Sequence, residues 1–294
     1  MEKMKMRVIK SSKRKKSLLA MVAIFVCALV LLGGTFAWTD FTQNATNKFR
    51  GTQDPDVTLH DEFDGKSPNA EKHIFVENSG NQEIYVRLRL DEYMEISGDS
   101  FVSTANVRDK TTWTPHLWNQ DITKITDCVG GVAGKFHDYF KWQVKGEGRD
   151  YKPGTPGLVY TKLDSSGNVD PTGPNSTSAE MKPVTMKAYV ELLDETASGL
   201  PLSTAAQETQ VNITAGCWIL DVDGWAYWSK VLKKDEATNL LLSKVEQKKN
   251  PTDDWYYGID VKLQAVTLND TEKWAETYTK TSNADRLITE WKAV

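Results

Sequence analysis

Histidine, cysteine and carboxylate side chains are the groups of this chain that could do chemistry, and their spacing forms no known catalytic motif. No two of the four histidines lie four residues apart, so the zinc-binding helix of metalloproteases is missing: His60, His73, His116 and His137. The sequence also has no Gly-x-Ser-x-Gly nucleophile elbow and no glycine-rich phosphate loop. Acidic residues are numerous, but most acidic residues lie on the solvated surface. We therefore expect no enzymatic activity, no metal site and no cofactor.

Residues 1–37 have the three parts of a secretory signal. Eight basic side chains precede an unbroken apolar run, Leu18–Leu32. Thr35 and Ala37 then provide the small side chains that a signal peptidase requires three residues and one residue before its cleavage point. Cleavage would make Trp38 the first residue of the mature chain, so we expect a secreted protein.

A membrane anchor is the alternative interpretation of the same segment. Leu18–Ala37 matches the roughly 20 apolar residues that a membrane-spanning helix needs. However, Gly33 and Gly34 interrupt the helix where a signal peptide usually ends, and no basic stop-transfer cluster follows. The pattern favours cleavage, with membrane contact only before it.

The charge balance shifts once the signal is removed. The chain of 294 residues has 36 basic and 40 acidic side chains, of which 8 and 1 lie in the first 37 residues. The remaining 257 residues have 28 basic and 39 acidic groups, a net charge of −11. Such acidity disfavours nucleic acid and anionic lipid as partners, because both are negatively charged. It favours a soluble protein outside the cell.

Two cysteines remain after cleavage, Cys128 and Cys217. A secreted protein could join them in one disulfide, because the extracellular environment is oxidising. Two small buried apolar side chains are the alternative. No Cys-x-x-Cys pair with metal-ligand spacing is present.

Alternation of apolar and polar residues dominates the mature chain. Three segments show it most clearly: Glu83–Leu90, Val184–Leu192 and Tyr257–Ala265. Each is predicted to be a strand with one buried and one solvated face, as in antiparallel sheets. Shorter candidate strands are Val57–Leu59, His73–Glu77, Phe140–Val144, Leu158–Leu163, Cys217–Asp221, Ala226–Val231 and Leu240–Val245.

About ten strands without intervening long helices indicate an all-β protein. We expect a jelly-roll-like antiparallel β-sandwich over residues 57–294. Residues 146–182 are rich in Gly, Pro, Ser, Thr and Asn, which predicts a long loop insertion with one short hairpin. Asp270–Trp291 has helix-forming content that Ser282–Asn283 divides, so a short C-terminal helical segment is predicted.

Aromatic residues crowd the last third of the chain: Trp218, Trp225, Tyr227, Trp228, Trp255, Tyr256 and Tyr257. On the surface they could stack on sugars, whereas inside the protein they would fill the core between two sheets. The core is the favoured location, because each lies within or beside a predicted strand.

Several segments resemble, in the same order, the TasA/camelysin family of SipW-dependent biofilm-matrix fibre proteins. Leu31–Asp40 resembles the family's cleavage region, in which Gly-Gly-Thr-aromatic-Ala precedes an aromatic residue and Asp. Asn47–Gly51 is similar to a short element near the mature N-terminus, and Val76–Arg89 is similar to a hairpin. Two later segments resemble strands of the family, Asp223–Leu232 and Tyr256–Thr267. The chain looks most like the longer, clostridial-type members.

This resemblance implies a jelly-roll core, secretion by a Gram-positive bacterium and assembly into extracellular fibres. The implied partners are other copies of the chain, a SipW-type signal peptidase and a minor anchoring or nucleating matrix subunit. The alternative within the same family is a camelysin-like surface metalloprotease, because camelysin has been classed as one, although no zinc motif supports this here. A monomeric surface adhesin or carbohydrate-binding module that uses the aromatic residues is a third hypothesis.

Residues 38–56 are the candidate donor segment for fibre assembly. A strand at a sheet edge exposes unpaired backbone groups, to which an extended segment of a neighbour can add. Head-to-tail addition of this kind gives an open filament. A disordered linker is the alternative interpretation of the segment. The new N-terminus as far as Leu59 supplies the apolar side chains assigned to the donor, namely Trp38, Phe41, Phe49, Val57 and Leu59.

Overall fold

We describe the fold from a computed structural model of the chain. It describes residues 46–49, 57–64, 69–96, 105–151, 175–249, 255–271, 274 and 283–293. The predicted signal peptide and the predicted strand Leu158–Leu163 lie outside these residues, as do Trp38 and Phe41. The described residues form mostly strands in antiparallel and mixed sheets, with four α-helices, so the prediction of a β-dominated protein is confirmed.

The strands of the described part of the chain follow the predicted segments closely in most places. In chain order they are β1 Thr46–Phe49, β2 Val57–Asp64, β3 Asn69–Asn78, β4 Ile84–Ile96, β5 Thr114–Pro115, β6 Phe140–Gln143, β7 Asp150–Tyr151, β8 Asn175–Ser176, β9 Val184–Thr185, β10 Trp218–Leu220, β11 Trp225–Trp228, β12 Leu242–Gln247 and β13 Trp255–Thr267.

The larger of the described sheets is built around β4 and β13. These two strands pair antiparallel over thirteen residues each, from Ile84 opposite Thr267 to Ile96 opposite Trp255. The strand order is β1-β13-β4-β11-β10-β9, and β5 pairs with β4 as a short branch. A smaller sheet has the order β2-β3-β12-β6.

The main core lies between these two sheets. Apolar side chains at alternate positions of β4 point into it, and Val86, Leu88 and Leu90 are fully buried there. The smaller sheet contributes side chains such as Ile74 and Trp142 from the opposite side. The period-two pattern of the sequence thus becomes a sandwich whose inner faces share one core.

The prediction of a solvated outer face on these strands is wrong for the larger sheet. Tyr85 and Arg87 point away from the main core, yet they are only 4% and 0% exposed. A second apolar cluster covers this face, because helices pack on it. Its buried members are Tyr85, Val184, Met186, Tyr189, Cys217, Ile219, Tyr227, Val266, Trp274, Ala284, Leu287 and Ile288.

The helices of the described residues are α1 Gly131–Phe136, α2 Met186–Ser198, α3 Thr204–Ala215 and α4 Asn283–Ala293. The expectation that no long helix interrupts the strands is therefore wrong. The C-terminal helical segment is confirmed, and α4 begins at the predicted break near Asn283.

The predicted strand Val184–Leu192 is a strand only at its first two residues. Thr185 ends β9 and caps α2, because its side chain accepts a hydrogen bond from the Ala188 N–H. Met186, Tyr189 and Leu192 then recur every third residue and form the buried face of the helix. Over so short a stretch, the same apolar residues fit both the period of two of a strand and the period of a helix. Tertiary packing decides which of the two structures forms.

The predicted insertion over residues 146–182 is described only at its ends. β7 and β8 pair there antiparallel, with Asp150 opposite Ser176. This pair closes the base of the insertion, and residues 152–174 lie outside the described residues.

Candidate functional site

Part of the candidate donor segment lies along one edge of β13, on the side that does not pair with β4. β1 lies parallel to β13, from Thr46 opposite Lys262 to Phe49 opposite Ala265. On its other side β13 is paired with β4 along its whole length. In the described part of the chain, β1 therefore covers only four of the thirteen residues of this edge. An edge strand as short as β1 is a place where an extended segment of another chain can add to a sheet.

The five residues assigned to the donor separate into three groups. Phe49 ends β1, whereas Trp38 and Phe41 lie outside the described residues. Val57 and Leu59 belong instead to β2, where they pair with Asn78 and Val76 of β3. These two residues therefore lie in a strand of the smaller sheet and not in the edge strand β1 of the larger sheet. The candidate donor is thus the segment that ends at Phe49.

A buried cluster of metal-ligating side chains lies between the two sheets. Three members have ligand atoms within 4.8 Å of one another: Glu92, His116 and Cys128. His137 joins them through its contacts to Glu92 and His116. Glu92 and His116 are 0% exposed, and the side chain of His137 is 10% exposed. Sequence reasoning had assigned no metal site and had found no pair of histidines with a motif spacing.

Four different local structures position these side chains. Glu92 lies in β4, on the face that points into the main core. His116 directly follows β5, and its backbone N–H donates to the Leu90 carbonyl (2.8 Å). Cys128 forms a β-bridge with Trp118. His137 caps the C-terminus of α1.

Three ligand atoms of the cluster lie within hydrogen-bond distance of one another. His116 Nδ1 is 2.8 Å from Glu92 Oε1, and His137 Nε2 is 3.2 Å from the same oxygen. The two histidine nitrogens are also 3.2 Å apart. The Sγ atom of Cys128 lies within 4.8 Å of the ligand atoms of Glu92 and His116.

The protonation states of these groups follow from burial and from their neighbours. Burial raises the pKa of Glu92, but His137 and His116 outweigh it and lower the pKa to about 2. Burial lowers the pKa of His116, even though Glu92 opposes this. Burial raises the pKa of the Cys128 thiol to about 12. At neutral pH the cluster therefore contains a carboxylate, a neutral His116 and a thiol.

Aromatic side chains enclose the cluster and support the carboxylate. The Tyr257 hydroxyl donates to Glu92 Oε2 (2.5 Å) and accepts from Trp142 Nε1 (2.9 Å). The Trp142 ring stacks on His116 at a centroid distance of 4.2 Å, and Trp118 meets the same imidazole edge-on at 4.5 Å. Glu92 thus presents one oxygen to the histidines while Tyr257 occupies the other.

One signal in the sequence could have revealed this site. The alternating set on β4 runs through Ile84, Val86, Leu88, Leu90, Glu92, Met94 and Ile96, so an acid occupies a core position. A charge in an apolar stripe requires partners, because burying it unpaired is costly. The three partners could not be identified from spacing, since they lie 24, 36 and 45 residues further along the chain.

Cys128 and Cys217 form no disulfide in the structure, and both are free thiols. Cys128 packs against the main core between the sheets, whereas Cys217 is buried in the second cluster beneath the helices. The pairing that the sequence permits is therefore not formed, because the larger sheet separates the two clusters.

The aromatic residues of the last third of the chain mostly fill the cores, as favoured. Trp218, Tyr227, Trp228 and Tyr257 are buried, and Trp225, Trp255 and Tyr256 are half-buried. Four of the seven residues are therefore core side chains, and three keep part of their ring at the surface.

No family model matches this chain, and no curated protein or solved structure matches it either. Among the helices that the structure describes, none has the length and apolar character to span a membrane.

Proposed function

We propose that this chain is a secreted structural subunit that polymerises into extracellular biofilm-matrix fibres by adding its N-terminal strand to a neighbouring subunit. The observation that carries the proposal is the position of β1, a four-residue strand at the edge of the larger sheet beside β13. An edge strand can be replaced by the same strand of another copy with no new type of contact.

The length of β1 and its connection to the domain favour such an exchange. Four residues make few hydrogen bonds to β13, so the pairing within one chain is easily replaced. The connection from Phe49 to Val57 has seven intervening residues, which span at most about 25 Å when extended. Repeated head-to-tail exchange at this edge would produce an open filament.

The two-sheet architecture supports a jelly roll as the fold of this subunit. The chain crosses repeatedly from one sheet to the other, for example from β3 to β4 and from β12 to β13. Such crossing is typical of Greek-key sandwiches, of which the jelly roll is one form.

Maturation is the step that would start assembly. Cleavage between Ala37 and Trp38 by a SipW-type signal peptidase would free the donor from the membrane. The mature subunit would then meet its partners outside the cell, namely other copies of itself and a minor anchoring or nucleating matrix subunit. The net charge of −11 on residues 38–294 keeps unassembled subunits soluble.

Electron microscopy and sedimentation of the matured protein test the proposal. The protein beginning at Trp38 is expected to form filaments, whereas a variant that lacks residues 38–56 should sediment as a monomer. A synthetic peptide of residues 38–56 should bind the deletion variant with one-to-one stoichiometry at the vacated edge of β13, and a scrambled peptide should not.

The same peptide added to the matured protein should shorten its filaments, because it occupies the edge without offering a next subunit. A matured protein that stays monomeric at all concentrations would contradict the proposal. Filaments formed equally well by the deletion variant would contradict the assigned role of β1.

A further inference from the structure

Three potential ligand atoms of a metal ion converge at one point of the core: His116 Nδ1, His137 Nε2 and Glu92 Oε1. In the absence of an ion, the two imidazole N–H groups can both donate to the carboxylate oxygen. This leaves His116 Nε2 buried without a hydrogen-bond partner in the described part of the chain. Three lone-pair atoms within 3.2 Å of one another also match the arrangement of ligands around a metal ion.

A bound cation makes all three contacts favourable, because each lone pair then points at a positive charge. In a tetrahedral zinc site with bonds of about 2.0–2.1 Å, neighbouring nitrogen and oxygen ligands lie about 3.3 Å apart. The three observed distances are 2.8, 3.2 and 3.2 Å. Cys128 Sγ lies within 4.8 Å of the Glu92 and His116 ligand atoms, and His137 lies outside that group of three. Four bonds to one ion therefore require Cys128 and His137 to move closer together.

We propose that Glu92, His116, Cys128 and His137 together bind one Zn²⁺ ion. A mixed set of carboxylate, imidazole and thiolate ligands suits zinc, whereas Mg²⁺ and Ca²⁺ prefer oxygen ligands alone. Binding would release the thiol proton of Cys128 to solvent, because zinc coordinates the thiolate. This inference depends on the cluster alone and is independent of the proposed function.

The surroundings of the ligands are those of a supported site. Tyr257 donates to the Glu92 oxygen that faces away from the histidines, which fixes the carboxylate in a monodentate orientation. Such hydrogen bonds to a ligating group are a regular feature of metal sites and contribute strongly to affinity. The indole rings of Trp118 and Trp142 exclude water on the side of His116.

The site is of the closed, structural kind. A catalytic zinc keeps one coordination position open to water or substrate, whereas four protein ligands fill a structural site. Here four ligands are available, and two of them are fully buried. The ion would join β4 to the segment from His116 to His137, which has a 3₁₀ turn, Ile122–Lys124, the short helix α1 and the bridge between Trp118 and Cys128.

Metal analysis of the protein as its producing cells release it, purified without a polyhistidine tag, tests the site. We expect about one zinc ion per chain by mass spectrometry. After zinc removal, Co²⁺ should bind with the absorption bands of a tetrahedral complex and a sulfur-to-cobalt charge-transfer band. Cys128→Ser should lose the charge-transfer band and should weaken zinc binding at least tenfold. Cys217→Ser is the matched control and should retain both.

His137→Gln provides a second test, because the His137 side chain is 10% exposed whereas Glu92 and His116 are fully buried. It should weaken zinc binding by a similar factor while the circular dichroism of the protein stays unchanged. Absence of stoichiometric zinc uptake by folded wild-type protein would overturn the proposal. A cobalt complex without thiolate absorption, or equal zinc affinity of Cys128→Ser and Cys217→Ser, would overturn the ligand assignment.

Discussion

Tyr257 of β13 donates a 2.5 Å hydrogen bond to Glu92 of β4, and both side chains are buried on the core face of the larger sheet. The two residues are diagonal neighbours, since Glu92 pairs with Ile259 and Tyr257 pairs with Met94. This contact, with those to His116 and His137, allows a carboxylate to occupy a position that the strand pattern reserves for an apolar side chain.

Glu92→Gln is expected to lower the free energy of unfolding by about 2–4 kcal/mol, because it removes the charge to which three buried groups are hydrogen-bonded. Urea denaturation in the presence of a chelator measures this effect without a metal contribution. Glu77→Gln is the comparison, since Glu77 is also buried and accepts from His60. A Glu92→Gln protein as stable as wild type would contradict the role assigned to the carboxylate.

Removal of zinc is expected to lower the melting temperature. With zinc at 100 times its dissociation constant, binding stabilises the folded state by about 2.7 kcal/mol. In a protein of this size, that loss corresponds to roughly 5–10 °C. Differential scanning calorimetry with and without a chelator measures the shift. It should fall to about half or less in Cys128→Ser, whose zinc binding is expected to be at least tenfold weaker, and should persist in Cys217→Ser. An unchanged melting temperature of the wild-type protein would contradict the zinc site.

Proline substitutions at two neighbouring positions of β1 should slow filament assembly to different extents. The N–H groups of consecutive strand residues point to opposite sides, so only one of Asn47 and Lys48 can donate to β13. Of the variants Asn47→Pro and Lys48→Pro, one should slow filament growth strongly and the other weakly, as measured by light scattering of the matured protein. Equal rates for the two variants and the wild type would contradict strand addition through β1.

Stability should fall as the pH rises from about 4 to 6 because of Asp221, which lies in the turn between β10 and β11. Burial, with a contribution from Asp223, raises its pKa from 3.8 to about 6. The folded state therefore keeps a proton that the unfolded state releases, which costs up to about 3 kcal/mol of stability by pH 6 and above.

Asp221→Asn should remove this decrease and should be more stable than wild type at pH 7. Urea denaturation at several pH values between 4 and 7.5 measures the slope. Asp121→Asn is the control, because hydrogen bonds from Thr123 lower the pKa of Asp121 and move its titration in the folded state below this range. A wild-type stability that rises between pH 4 and 6 would count against the prediction. So would an Asp221→Asn protein whose stability changes with pH as steeply as that of wild type.

Arg87→Lys should destabilise the protein by about 2–3 kcal/mol, although the charge is retained. The Arg87 guanidinium lies over the Trp225 ring, 4.2 Å from its centroid, and donates to Gln264 and Tyr227. A lysine ammonium cannot reproduce this planar arrangement. Arg89→Lys is the control, with an expected effect below about 1 kcal/mol, because Arg89 is partly exposed. Equal losses in the two variants would contradict this account.

The strands that form the centre of the fold could be predicted from the sequence because their signal is local. Alternation in Glu83–Leu90 and Tyr257–Ala265 indicates β4 and β13, and each strand extends beyond the predicted segment. The break near Asn283 likewise indicates where α4 begins. These features depend on neighbouring residues only, so a single sequence contains them.

The helical layer and the buried cluster could not be predicted in this way. Met186–Leu192 fits a strand or a helix equally well, and packing against the outer face of the larger sheet selects the helix. The burial of Arg87 depends on that same layer.

The amino-acid sequence by itself determined that this is a chain of alternating strands, with a secretory pattern at its start and an acid at a core position of β4. Only the tertiary structure decided that His116, Cys128 and His137 surround Glu92, and that β1 lies at the edge of β13. The physical reason is that strand pairing and core packing bring together residues that are far apart in the chain. A local periodicity of the sequence does not indicate which distant residues will come into contact.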